Sequence, residues 1–235
     1  MEQTMNRLSL LALGAALAAS PAAAQMTGAT LDFGHSFFTE DADVAKTSLG
    51  GSAEMSIGTN FGVQGDLGYS RLHGIKDDAT SVAVHGLLYV TPETALGAFY
   101  GIEELAGDGV HFYGFEVGQK SDFFDVEAYV GRADDSGLTG SMMGLEGRLS
   151  LASGFGVGAK VNHLDVEGLD TTRIGLTGDY TLPNGLALTA ELGTVNADDL
   201  GLDGSEPYIG LGARFDFGRG TMFSRRTLTA VAPGL

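Results

Sequence analysis

The sequence predicts an all-β chain: a closed, antiparallel, up-and-down transmembrane β-barrel of about 12 strands. Three observations predict it. A two-residue alternation runs through most of the chain, as in "SLGGSAEMSIGTNFGVQGDLGYSRL" at 48–72, where Leu49, Ala53, Met55 and Ile57 oppose Ser48, Ser52, Glu54 and Ser56. The polar parity is rich in glycine and serine, where a soluble sheet would show Lys and Glu to water. Connections are tight at one end of the strands and mostly longer and acidic at the other, the habit of membrane barrels.

The elements follow in chain order. Residues 1–24 read as a secretory signal peptide: Arg7 in the n-region, an apolar run from Leu8 to Ala19, and a small-residue cleavage site in "SPAAAQ", after Ala24. That run is too short for a membrane helix, which needs about 20 apolar residues. Strands are predicted over 28–38, 47–58, 61–73, 79–90, 94–104, 109–120, 122–133, 138–150, 154–164, 170–181, 185–196 and 206–217. Tight turns fall at Thr59-Asn60, Thr91-Pro92-Glu93, Ser121-Asp122, Ala152-Ser153 and Leu182-Pro183-Asn184. The longer set includes "TEDADVAK", "GIKDD", "DVEGLD" and "NADDLGLDGSE". Residues 25–217 thus form one barrel domain, and 218–235 remain as a basic C-terminal tail.

Closure explains the rhythm. In hydrocarbon every backbone N–H and C=O must be paired, and a closed barrel has no free edge. The apolar parity then meets lipid, through sets such as Val82, Val84, Leu88 and Val90, or Leu186, Leu188, Ala190 and Leu192. The polar parity looks inward, where glycine clears space and lets the strands coil. Aromatics gather at two levels: Phe61, Phe124, Phe155, Tyr180 and Phe217 toward the turns, and Phe37, Tyr69, Tyr100 and Tyr113 toward the loops. A soluble exported sandwich or lipocalin-like barrel is the competing architecture.

The charge excludes one class of partner. Without Glu2 and Arg7, 12 Lys and Arg stand against 29 Asp and Glu, so a nucleic-acid partner is not expected. The chain has no cysteine, so no disulfide supports it.

On the signal peptide, the strand and loop rhythm, and "LGARFDFG" at 211–218, the chain resembles the outer-membrane porins of Gram-negative bacteria, especially the short acidic group. Gly212, Phe215 and Phe217 are similar to the glycine and spaced aromatics of the closing β-signal. The resemblance implies an outer-membrane location, with outer-membrane lipids, lipopolysaccharide and small hydrophilic solutes or ions as partners. It admits a homo-oligomer. One departure stands out: such barrels commonly end on the closing aromatic, and this chain runs 18 residues further.

The inward parity supplies the candidate pore-lining residues: Glu54, Asp66, Glu116, Asp125, Glu127, Arg148, Lys160, Arg173, Glu191 and Arg214. The first half of the wall, with Glu103, is acidic; the second, with Glu146, Asp179 and Asp216, is mixed with four bases. Opposed walls create a transverse field, and the acid excess predicts a cation preference. The alternative is a lumen closed by ion pairs. Arg71, His73, His111, Arg132 and His163, with His35, fall on the lipid-facing parity near the loops and form a candidate lipid-headgroup collar.

Catalysis finds little support. His85 is the one inward histidine, with Ser81 and Asp66 as conceivable partners, and a solvated lumen histidine is the expectation. "DDLGLDGSE" fails as an EF-hand loop, because the twelfth position from Asp199 is Gly210. No cofactor or metal is implied. The function expected is passive diffusion of small hydrophilic solutes or ions; the alternative is a non-conducting surface protein whose acidic loops bind ions or partners. Two finer expectations follow. The first and last strands should pair, with an Asp32–Arg214 ion pair at the seam. The tail, basic through Arg219, Arg225 and Arg226, should fold back and partly occlude the periplasmic, turn-side mouth of the acidic lumen; a disordered end and an added strand over 221–231 are the alternatives.

Overall fold

A computed structural model describes residues 24–135, 138–166, 169–198 and 205–231. The leader assigned to 1–24 lies, but for Ala24, outside them, as does most of "DDLGLDGSE". Twelve strands alternate along the chain: β1 (Ala24–Phe38), β2 (Ala45–Ile57), β3 (Phe61–Leu72), β4 (Asp77–Thr91), β5 (Thr94–Leu105) and β6 (Asp108–Lys120). They continue with β7 (Phe124–Asp135), β8 (Leu138–Ser150), β9 (Phe155–Val166), β10 (Leu169–Thr181), β11 (Leu186–Asp198) and β12 (Ser205–Gly218). Each pairs antiparallel with its neighbours in sequence, and β1 pairs with β12, closing the barrel.

Most predicted boundaries hold to within two residues, and the departures have local causes. β7 begins two residues late because Ser121 forms a turn: its Oγ accepts Phe124 N–H at 3.2 Å and its own N–H donates to Phe124 O at 3.0 Å. β1 begins four residues early, at Ala24, and a bulge between Met26 and Gly28 takes up the extra register. At the seam Asp32 lies opposite Arg214, as expected, but the ion pair does not form there. Arg225 of the tail takes Asp32 at 2.8 Å, and Arg214 turns to Asp216 at 3.0 Å.

The apolar parity faces outward. Leu31, Leu49, Val84, Leu96, Leu145, Leu176 and Leu192 are all exposed on the barrel wall, as a lipid-facing band requires. The aromatics at its turn-side edge pair: Phe155 lies 4.7 Å from Tyr180, and Phe215 4.8 Å from Phe217. The buried core is inside the lumen. Its largest cluster joins Ala83, Phe99, Phe112, Met142 and Leu164 with Val231, and a second joins Leu87, Tyr89 and Ala95 with Met222 and Phe223. Both clusters are completed by the tail.

Candidate functional site

The tail enters the barrel because three glycines let it turn. Gly218 and Gly220 have φ of 65° and 70°, in the left-handed region that favours glycine. A side chain on Gly28 would collide with the Gly220 carbonyl, so β1 must be bare where the chain folds under. From there residues 221–231 run up the lumen toward the loop end, finishing in a short 3-10 turn at Leu228–Val231.

The wall that receives the tail is the acidic one, β2 to β7, and it binds main chain. Glu54 accepts Met222 N–H at 2.7 Å, Glu127 accepts Ser224 N–H at 2.9 Å, and Asp66 accepts Arg226 N–H at 3.3 Å. Glu103 accepts both Leu228 N–H and Thr229 N–H, and takes Thr229 Oγ1–H at 2.6 Å. Gln64 bonds Phe223 twice, donating to its carbonyl at 3.0 Å and accepting its N–H at 3.3 Å. The carbonyls are met by cations: Lys120 donates to Thr221 O at 3.1 Å, Arg173 to Ala230 O at 2.5 Å, and Lys46 to Thr229 O.

Two side chains anchor the segment. Arg226 is 5% exposed and donates to Glu116 through Nε at 3.2 Å and Nη2 at 3.0 Å, with Nη2 also on Glu127. Its guanidinium lies over the Tyr129 ring at 4.1 Å and near Phe99 at 5.8 Å. Phe223 fills a pocket cleared by glycine; a side chain at Gly97 or Gly118 would come within 2.6 or 3.0 Å of its ring. His85 stacks on it at 6.2 Å.

His85 is therefore not solvated: it is fully buried, with Nε2 2.8 Å from Asp66 and Nδ1 2.6 Å from Glu116. A carboxylate at each nitrogen leaves the ring no free atom to serve as a base, and Ser81 is not among its partners. The histidine instead locks two carboxylates that hold Arg226.

The opposite wall, β8 to β12 with β1, faces a cavity of about 470 Å³ between itself and the tail. Arg148 forks onto Asp179 with two bonds of 2.7 Å and reaches Asp125 at 3.8 Å. Glu191 holds Lys160 at 2.5 Å and Arg173 at 2.8 Å. All ten candidate pore-lining residues point inward, but they divide. Asp125, Arg148, Lys160, Arg173, Glu191 and Arg214 border the cavity, while Glu54, Asp66 and Glu116 are sealed beneath the tail and Glu127 is largely covered. Counting Arg225 and Arg226, the cavity is bordered by seven carboxylates and eight basic side chains, so its charge is nearly balanced.

Outside, the collar residues sit at the loop end on the lipid-facing parity and are held by neighbours. His73 and His35 share Thr47 at 3.0 and 2.9 Å, His111 meets Tyr100 at 2.7 Å, and His163 meets Thr172 at 2.9 Å. Arg71 lies 3.5 Å from Asp78, and Arg132 is exposed.

What sequence reasoning missed is the apolar bed inside the lumen. Leu87, Tyr89, Phe99, Phe112, Met142 and Leu164 lie on the inward parity. An apolar side chain there signals a partner within the barrel.

No protein-family model and no characterised protein sequence matches the chain. Solved structures do. The KdgM porin is similar with a TM-score of 0.59 at 10% identity, over 80% of this chain and 99% of that one. The NanC porin is similar at 0.61 and 9%, over 79% and 98%. An outer-membrane channel from Pseudomonas putida F1 is similar at 0.53 and 12%, over 85% and 97%. Closed topology, outward apolar parity and these likenesses agree: the chain has the closed 12-strand β-barrel fold of outer-membrane porins.

Proposed function

We propose that the chain is an outer-membrane channel for passive diffusion of small hydrophilic solutes or ions, exported by a cleaved signal peptide at 1–24, with its lumen shared between a solute path and its own tail. The turn end, where β1 begins and β12 ends, then faces the periplasm. The observation that carries this reading is the cavity of about 470 Å³ on the mixed wall, bordered by paired charges the tail leaves uncovered. Paired charges across a narrow, water-filled path orient polar solutes rather than repel them. The cation preference expected from the acid excess belongs to the β2–β7 wall and is masked while the tail neutralises it.

In this reading the collar of Arg71, His73, His111, Arg132 and His163 meets the phosphates of lipopolysaccharide, with the loop end in the outer leaflet. The tail also favours a second reading, a non-conducting surface protein with a filled barrel. Single-channel recording of the refolded protein in planar bilayers separates them. Discrete conductance steps support the channel; silence from both the full chain and a chain ending at Gly218 leaves the surface protein.

A further inference from the structure

The acidic wall is built to bind an extended peptide. We propose that the track on β2–β7 is a recognition site for cationic peptides with an aromatic residue three positions before an arginine, and that the tail occupies it as an internal pseudo-ligand. This deepens the channel reading by naming a substrate class for the same lumen.

Three observations carry the proposal. First, the partners are matched to main chain rather than to an ion or a sugar. The N–H groups of Met222, Ser224, Arg226, Leu228 and Thr229 meet wall carboxylates, and the carbonyls of Thr221, Thr229 and Ala230 meet Lys120, Lys46 and Arg173. Gln64 bonds both the N–H and the C=O of Phe223, reproducing with one amide the pairing of a β-bridge. None of these bonds reads the identity of a side chain.

Second, two side chains are held in slots closed on several sides. A guanidinium slot is formed by Glu116 and Glu127 under the Tyr129 ring, and an aromatic slot lies over Gly97 and Gly118 beside His85. Their occupants, Phe223 and Arg226, are three residues apart. A bare cation would satisfy the first slot and leave the second and the main-chain acceptors empty.

Third, the docked tail is what dries the wall. With it in place Glu54, Gln64, Asp66, Glu103 and Glu116 are each at most 5% exposed, and buried carboxylates need donors. An occupant that covers the track as closely must therefore supply N–H groups, which a peptide does.

The test uses the full-length chain in detergent micelles carrying Phe223→Ala and Arg226→Ala, which weaken the tail's hold while leaving the wall intact. The probe is a fluorescent peptide of residues 219–231, read by anisotropy. The double variant should bind it at least about tenfold tighter than wild type, whose site is filled in cis. A scrambled peptide that keeps the Phe-x-x-Arg spacing should bind within about tenfold of it, and one with glutamate for the arginine should not compete. Should the variant fail to refold, a chain ending at Gly218 serves the same assay. Binding of the native tail alone, equal binding of the glutamate peptide, or no binding to either chain would overturn the proposal. Because anisotropy is independent of conductance, a barrel that binds peptide but passes no current refutes the channel and spares the site.

Discussion

The wall of β2–β7 and the wall of β8–β12 share strand geometry, register and an inward polar parity, yet they solve the problem of buried charge in opposite ways. The β8–β12 wall pairs within itself: Arg148 with Asp179, and Lys160 and Arg173 with Glu191. It meets the tail mainly through Arg173 and otherwise faces the cavity. The β2–β7 wall has carboxylates in excess and must borrow its donors, taking backbone N–H groups and Arg226 from the tail. Self-paired charge leaves a path open; unpaired charge of one sign recruits a plug. The position of the tail follows from which half of the wall carries carboxylates in excess of its bases.

Removing the tail should break this comparison most severely. A chain ending at Gly218 joins the cavity to the volume held by residues 221–231 and bares Glu54, Asp66, Glu116 and Glu127. Single-channel conductance should rise severalfold, and the reversal potential in a salt gradient should move toward that of cations. Unchanged conductance and selectivity would mean that the tail does not sit in the path.

The next test sets one arginine against another. Arg226→Ala strands two buried carboxylates, and breaking a buried pair costs about 3–5 kcal/mol. That loss falls on docking of the tail, so trypsin should cut at Arg219 and Arg225 far faster while the barrel's thermal transition stays in place. Arg148→Ala removes an equally well-formed fork, but its side chain is 22% exposed to the cavity. Asp179 is only 9% exposed but borders the cavity, so water can reach it once Arg148 is cut back, and the cost should stay below that of Arg226→Ala, at about 1–2 kcal/mol. Equal costs for the two substitutions would erase the distinction between the walls.

Much of this was legible in the sequence, for physical reasons. Alternation with a period of two has no other structural meaning over a dozen residues, so strand positions and facing were readable throughout. The halves of the wall could be told apart because inward parity follows from outward parity. The attraction of a basic tail to an acidic lumen was readable as net charge; its depth was not. In "SVAVHGLLYVT" (81–91), Leu87 and Tyr89 are inward while Leu88 and Val90 are outward, and a continuous apolar run conceals which residues have changed allegiance. Such a run within an alternating strand marks where the lumen stops being wet. His85 was misjudged for the same reason: the carboxylates beside it come from β3 and β6, and no spacing within β4 announces them.

The smallest expected effect lies at the seam, where the two walls meet through β1. Asp32 and Arg214 face each other in register, as the heights counted from the turns require, yet Asp32 bonds Arg225 and Arg214 bonds Asp216. Opposition across strands therefore brought the charges to one level without deciding the partner. The reason is competition: Arg225 arrives already fixed by the docked main chain, and holding it there costs less entropy than drawing the Arg214 side chain away from Asp216. A double-mutant cycle resolves this. Asp32→Asn combined with Arg225→Ala should show a coupling of a few tenths to about 1 kcal/mol, since Asp32 remains 30% exposed. The cycle with Arg214→Ala should show none in the full chain. In the chain ending at Gly218 the coupling should pass to Arg214, its opposite in the register. A coupling to Arg214 while the tail is present would place Arg225 elsewhere and leave the seam to the barrel alone.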